Sequence, residues 1–222
     1  MHSHNINSTR FISVDLQYDF TRSGGQHFNP KRTSVRFVRN TLIPFFREKK
    51  VRIGEIISDY RQPRPGDIGD CCHPGEWGYT SEIPSELVET QWIKCLKSPL
   101  FTRKNIGLPK RKPGLPKADA EGFYKWMTPH AGTHLGKGTV VVFGLTLDCC
   151  ILCTAQTLRF DGYNVKILMD ATDTYEGGQK SKKEVMRLLS NWADPVTFEE
   201  VQKYVENDDK WARMANYDPN PV

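Results

Sequence analysis

The sequence predicts one α/β domain with a doubly wound, mainly parallel sheet flanked by helices, and three observations support that expectation. Strand-like and helix-like segments alternate along almost the whole chain. The run TVVVF at 139–143 is continuously apolar and β-branched between glycines, the pattern of a strand buried on both faces. The chain has 222 residues, enough for one sizeable core. No internal repeat divides it, so residues 1–222 are read as a single domain with tails at 1–9 and about 206–222.

The elements follow in order. Residues 11–16 form an apolar run that carries Asp15 near its end and leads into Gly24 and Gly25, so they read as a buried strand with chemistry at its carboxyl end. Residues 34–46 place Val35, Phe37, Val38, Leu42, Ile43 and Phe46 at near-helical spacing, in a helix that Pro44 is expected to kink or end early. A strand is predicted at 51–57, a Pro- and Gly-rich loop at 60–80 and a short strand at 91–96. Residues 101–117 hold Arg103, Lys104, Lys110, Arg111, Lys112 and Lys117 among prolines, with no acid, and read as a basic surface excursion. After the strand at 139–143 come a helix at 150–160, a strand at 165–169 ending in Asp170, and an amphipathic helix at 180–192. The polar end closes on Asp218, Pro219, Asn220 and Pro221, a turn-prone tail.

Composition narrows the function. With 31 Lys and Arg against 26 Asp and Glu, the net charge is +5, too mild to imply nucleic acid. The basic stretch lacks the interleaved aromatics of a base-stacking surface, so a solvated or subunit-bridging loop is expected there. No run of about eighteen apolar residues exists, and no membrane partner is expected. The first residues lack the pattern of a secretory leader, which predicts a cytoplasmic protein. The six cysteines, Cys71, Cys72, Cys95, Cys149, Cys150 and Cys153, are adjacent or clustered and are expected to be free thiols in a reducing compartment.

Reactive groups collect at the carboxyl ends of parallel strands. Three segments meet that condition: VDLQYDF with Asp15, WIKCLKSPLF with Lys94, and GLTLDCCILCTA, which turns from a strand into a helix at Cys150. A cysteine in the first helical turn meets unpaired backbone N–H groups and the positive end of the dipole, and an ammonium nearby favours its thiolate further. Spacing alone allows Asp15 and Lys94 to be an ordinary buried ion pair, and Cys95 and Cys153 to be inert core thiols.

Together these segments resemble the isochorismatase-like cysteine hydrolases, the nicotinamidases, N-carbamoylsarcosine amidases and their relatives. VDLQYDF is similar to their VDxQxxF opening, KCLKSPLF to their Lys-x-x-x-Ser-Ala/Pro-Phe segment, and GLTLDCCILCTA to their Gly-Val-x-Thr-Asp-x-Cys-Val-x-x-Thr-Ala helix start. ILMDATDTY is similar to their later Asp-Ala strand end, and the likeness spans roughly residues 11–200. The resemblance places the family triad on Asp15, Lys94 and Cys150, with Cys149 at the variable position before the nucleophile and Lys97 at a tolerant one. It implies a non-prolyl cis peptide between Leu145 and Thr146, and an oxyanion hole made by the N–H groups of Thr146 and Cys150. Leu147 departs from the usual Thr. The implied activity is hydrolysis of a C–N bond in a small amide or N-carbamoyl (ureido) substrate through a thioester, by a homodimer or homotetramer.

Nicotinamidases of this family bind a divalent metal through an Asp-x-His pair and a later His. Here Asp59 matches the acid, but Arg61 stands at the first His and Cys71 at the second. A guanidinium cannot ligate a cation. The expectation is therefore no metal and no cofactor, with His73 a loop histidine unless the register slips. Arg61 either anchors an anionic end of the substrate or pairs with a nearby carboxylate, and Phe20, Trp77 and Phe101 are candidate apolar walls. Two rival readings stay open on the same fold: a vinyl ether hydrolase, which needs no cysteine nucleophile, and a catalytically silent binding module.

Overall fold

The TVVVF run is the middle of the molecule. In the computed structural model, which describes residues 10–61, 70–131 and 138–206, it forms β6 (Thr139–Leu145), and every residue of that strand is buried. Around it lie β1 (Arg10–Val14), β2 (Ile53–Ser58), β3 (Val88–Lys94), β7 (Asn164–Asp173) and β8 (Asp194–Val196), in the order β3-β2-β1-β6-β7-β8 and parallel at every pairing. The chain builds outward from β1 to β3, then returns to lay β6 beside β1. The reversal of winding opens a crevice between the carboxyl ends of β1 and β6, where doubly wound sheets bind ligands. A separate antiparallel pair joins β4 (Phe101–Thr102) to β5 (Lys117–Ala118).

Alternation along β6 divides the core into two layers. Val141 and Phe143 face one cluster with Phe11, Phe45 and Phe46, whereas Val140 and Val142 face another with Ile12, Phe123 and Ile151. The first layer is covered by α2 (Ser34–Phe37), α3 (Ile43–Glu48) and α7 (Phe198–Glu206), the second by α4 (Ala120–Ala131), α5 (Cys150–Phe160) and α6 (Gln179–Leu189). A one-turn helix, α1 (Tyr18–Thr21), follows β1. Each fully buried Val, Leu, Ile or Phe contributes about 1.5–3 kcal/mol relative to exposure, so this two-sided burial dominates the sheet's stability. Among the described residues, no helix is long and apolar enough to cross a membrane.

Several elements depart from the sequence expectation for identifiable reasons. Pro44 neither ends nor breaks its helix. A π turn at Val38–Leu42 rewinds the backbone just before it, and Pro44 stands in the first turn of α3, where its missing N–H costs little. β1 stops at Val14 because Asp15 turns into the left-handed region at φ 52°. β3 starts and ends earlier than expected, at Val88 and Lys94, and β7 runs on to Asp173. Arg103 is buried in an ion pair with Asp59, a correction to its reading as part of a solvated excursion, whereas Lys104, Lys110, Arg111 and Lys112 are exposed. The tails at 1–9 and beyond 206 lie outside the described residues.

Candidate active site

Three adjacent strands deliver the polar groups of the crevice. Asp15 follows β1, Ser58 ends β2, Lys94 ends β3, and Ser58 and Lys94 are register partners. Gln17 fastens the first two ends together: its Oε1 accepts the Ser58 N–H at 2.7 Å, and its Nε2 donates to the Ser58 carbonyl at 2.9 Å. A side-chain amide thus continues the strand ladder past the point where β1 has turned away. From the other side of the crevice, β6 ends at Leu145 and a cis Leu145–Thr146 peptide leads through a short turn to Cys150, the first residue of α5. Gly144 is required for this exit: at φ 122°, a Cβ there would lie 2.1 Å from the Val14 carbonyl oxygen. Asp148 holds the turn against the end of β7 by accepting the Tyr175 N–H at 3.0 Å.

Lys94 is the hub. Its ammonium is fully buried and donates to Asp15 Oδ2 at 2.8 Å, Ser58 Oγ at 2.7 Å and Tyr60 OH at 2.5 Å, which uses all three protons. Cys150 Sγ lies 3.4 Å from the same nitrogen and 3.4 Å from the Tyr60 hydroxyl. Ser58 Oγ in turn donates a hydrogen bond to Asp15 Oδ1 at 2.7 Å. Burial works against the charge on Lys94, but Asp15 and the Cys150 sulfur outweigh it, and its pKa stands above that of an ordinary lysine. Tyr60 is held as a neutral phenol, first by burial and then by the charge around Cys150 and Asp15.

The thiols differ from the simple helix-dipole expectation. Cys150 Sγ–H points to Cys149 Sγ at 4.0 Å, and that hydrogen bond, with burial and the Asp15 charge, raises the Cys150 thiol despite Lys94. Cys149, which accepts the bond and senses Lys97 and Lys94, comes down to about 7. In the resting site the nucleophile candidate is therefore a thiol that needs a base. Thr146 and Cys150, whose N–H groups are the expected oxyanion donors, both line the crevice.

A cavity of about 70 Å³ opens onto these groups, and Asp15, Tyr60, Thr146, Cys149 and Cys150 line it. Phe20 also lines it, stacked on His27 at 5.8 Å. The other expected substrate contacts are placed elsewhere. Trp77 is half exposed and packs on Tyr18, and Phe101 sits in β4. Arg61 is committed to Asp59, at 2.9 and 2.7 Å, and to the carbonyls of Leu108, Arg111 and Asn105. Sequence reasoning missed Ser58 and Tyr60; their position at the carboxyl end of β2 was the available signal.

The metal position implied for nicotinamidases does not fit a cation here. Asp59 is fully buried and accepts from Arg61, from Arg103 at 2.9 Å and from the Gly107 N–H at 2.9 Å. Burial pushes its carboxyl upward, but these donors outweigh burial and hold it below the usual aspartate range. Two guanidinium groups thus satisfy the carboxylate that would have been a ligand. His73 pairs with Asp70 at 2.7 Å. Elsewhere, Asp19, Cys71 and Cys72 bring one oxygen and two sulfurs within 4.8 Å of one another, although the Cys72 N–H already occupies Asp19 Oδ2 at 2.6 Å. Cys71 is lowered to about 7, chiefly by a hydrogen bond from Cys72 against the opposing effect of burial, with His27 also contributing.

No protein-family model and no curated protein matches the sequence. Solved structures do match the fold. An isochorismatase-like hydrolase from Alkaliphilus metalliredigens superposes with a TM-score of 0.63 at 17% identity, over 88% of this chain and 98% of its own. A nicotinamidase/pyrazinamidase from Bacillus subtilis gives 0.58 at 12% identity, over 85% and 100%. A pyrazinamidase from Pyrococcus horikoshii, solved in complex with zinc, gives 0.56 at 18% identity, over 86% and 99%. The doubly wound six-stranded sheet with its crevice between β1 and β6 is the isochorismatase-like hydrolase fold.

Proposed function

We propose that this chain is a cysteine amidohydrolase that cleaves a C–N bond of a small amide or N-carbamoyl compound through a thioester at Cys150, with no metal in the reaction. One observation supports this reading above the others: the Lys94 ammonium lies 2.8 Å from Asp15 and 3.4 Å from Cys150 Sγ, and Asp15 and Cys150 line one cavity at the ends of neighbouring strands. The fold is shared with hydrolases and nicotinamidases.

In this mechanism Asp15 takes the Cys150 proton as the thiolate attacks the substrate carbonyl. The oxyanion is held by the N–H groups of Thr146 and Cys150, two residues that line the cavity. Asp15 returns the proton to the departing nitrogen, which leaves as ammonia or an amine. The same carboxylate then deprotonates water, which attacks the thioester and releases the acid product and the thiol. Lys94 balances the negative charge as it moves between carboxylate, sulfur and oxyanion. Tyr60, kept neutral, has one proton to give, to the Leu96 carbonyl at 3.3 Å or to the sulfur at 3.4 Å, and turns it to the sulfur when the thiolate forms.

Ammonia release from a panel of carboxamides and N-carbamoyl compounds tests the proposal, with chelator-treated wild type run beside Cys150→Ala and Cys149→Ala. Turnover is expected to survive the chelator and Cys149→Ala and to vanish in Cys150→Ala. An active Cys150→Ala protein would remove the covalent mechanism.

A further inference from the structure

Arg32 is a buried cation at the wall of the same cavity whose described hydrogen bonds all go to neutral carbonyls. It is 5% exposed. Its Nε and one terminal nitrogen donate to the Tyr175 carbonyl at 3.3 and 2.9 Å. The other terminal nitrogen donates to the carbonyls of His27 at 2.8 Å and Phe20 at 3.4 Å. Four of its five N–H donors are therefore spent on neutral oxygens, and one is left over. Among the described residues no carboxylate forms an ion pair with it.

Other arginines of the molecule are treated differently. Arg61 and Arg103 share Asp59, and Arg22 and Arg39 share Glu82. Asp148 and Asp173 favour its charge from a distance but do not hydrogen-bond to it: Asp148 accepts the Tyr175 N–H, and Asp173 accepts the Ser34 N–H and is paired with Lys182 at 3.2 Å. A buried guanidinium that keeps its charge without a partner is costly, and the cost is recovered when an anion arrives. Within the cavity, the Asp15 carboxylate is already matched by Lys94, and His27 faces the acidic Cys71 thiol. Arg32 and the exposed Lys97 add positive charge to its lining, and Lys97 shares its charge with the Cys149 thiol, which it lowers.

We infer that Arg32 is an anion subsite of this cavity, and that the substrate is a small amide or N-carbamoyl compound bearing a carboxylate, which docks on Arg32 with Lys97 at the mouth. Arg61, the arginine singled out by sequence, has all five guanidinium donors committed, whereas Arg32 keeps one, and the anion-binding role moves to a residue that no motif marked. The substrate class rests on the amidohydrolase reading; the subsite itself does not.

The test uses the Cys150 thiol as a reporter, so that it needs no turnover. The rates at which iodoacetate and iodoacetamide alkylate Cys150 are measured by peptide mass spectrometry on the full chain, and their ratio is compared with that for free glutathione. The reagents deliver nearly the same group, but only iodoacetate carries the carboxylate. Wild type should favour iodoacetate by roughly tenfold relative to glutathione, the order expected for one unit charge a few ångströms away in a partly screened site. Arg32→Gln should bring the ratio to the glutathione value while leaving the iodoacetamide rate within about twofold, and Arg32→Lys should keep most of the preference. A wild-type ratio equal to that of glutathione, or a ratio untouched by Arg32→Gln, overturns the inference. Protection of the wild type needs no variant: at equal ionic strength, propionate should slow iodoacetamide alkylation of Cys150 at concentrations where propionamide does not. Equal protection by the two contradicts the subsite. A charge preference without turnover of any amide would sink the reaction and leave the subsite standing, and turnover of neutral amides without a preference would do the reverse.

Discussion

Asp59→Asn isolates the knot that stands where a metal ligand is expected. Asp59 accepts two hydrogen bonds from the Arg61 side chain and a longer one from its N–H, one from Arg103 and one from the Gly107 N–H, and it is fully buried. The substitution keeps the shape, but its amide nitrogen faces donors and no negative charge opposes two guanidinium groups, one of them buried with only 3% of its side chain exposed. Removing one member of a buried ion pair costs about 3–5 kcal/mol, because the partner stays buried and uncompensated. Equilibrium denaturant unfolding at pH 8 should show a loss of that size. The sign of the pH dependence is also fixed. Asp59 is held below its unfolded value, so its contribution is complete above the usual aspartate range, near pH 4, and is lost as pH falls from there through the lower folded-state value. The stability gap between wild type and variant should therefore be constant from pH 8 to about 5 and shrink below about pH 4. A loss under about 1 kcal/mol, as for an exposed pair, or a gap that does not shrink in acid, would refute the reasoning.

Three further outcomes are expected. Gln17→Leu leaves the buried Ser58 N–H and carbonyl without partners, and should cost about 1–3 kcal/mol for each group left unsatisfied, read by denaturant unfolding, together with a lower kcat. Gly144→Ala should exceed about 4 kcal/mol and appear as lost soluble yield, because a Cβ 2.1 Å from the Val14 oxygen cannot be relieved by a side-chain movement. Tyr60→Phe removes a hydrogen bond to Lys94 and a hydroxyl near Cys150 Sγ, so kcat for whichever amide is turned over should fall about tenfold with KM nearly unchanged, and the buried ammonium left one acceptor short should lower stability by about 1–3 kcal/mol.

What could be read from the chain, and what could not, follows from how local each signal is. TVVVF predicted a buried strand because a run with no polar face must be covered on both sides, and Cys150 at a strand-to-helix turn has the same positional logic. α4 and α7 were missed, although both carry local marks. Asp119 Oδ1 accepts the Gly122 N–H at the start of α4, and Thr197 and Glu200 exchange hydrogen bonds as a capping box at the start of α7. β8 is three residues with a proline on the sheet edge, too short to announce itself. At the site, Asp15, Lys94 and Cys150 were legible because strand ends collect reactive groups. Ser58 and Tyr60 stand at such an end too, but nothing in SDYR separates a hydroxyl aimed at Lys94 from one in solvent. Arg61 and Arg32 show the limit most clearly. Arg61 pairs with Asp59 only two residues away, but its remaining donors, and two of those of Arg32, are committed to carbonyls that the fold brings from distant segments, and no spacing in the sequence encodes that.

The most direct test of the central claim is intact-protein mass spectrometry on wild type, quenched in acid within milliseconds of mixing with an amide that it hydrolyses. A covalent adduct with the mass of the acyl group, mapped to Cys150, formed at least as fast as turnover and absent from Cys150→Ala, is the predicted result. An adduct on Cys149, or steady turnover with no adduct on any cysteine, would contradict it.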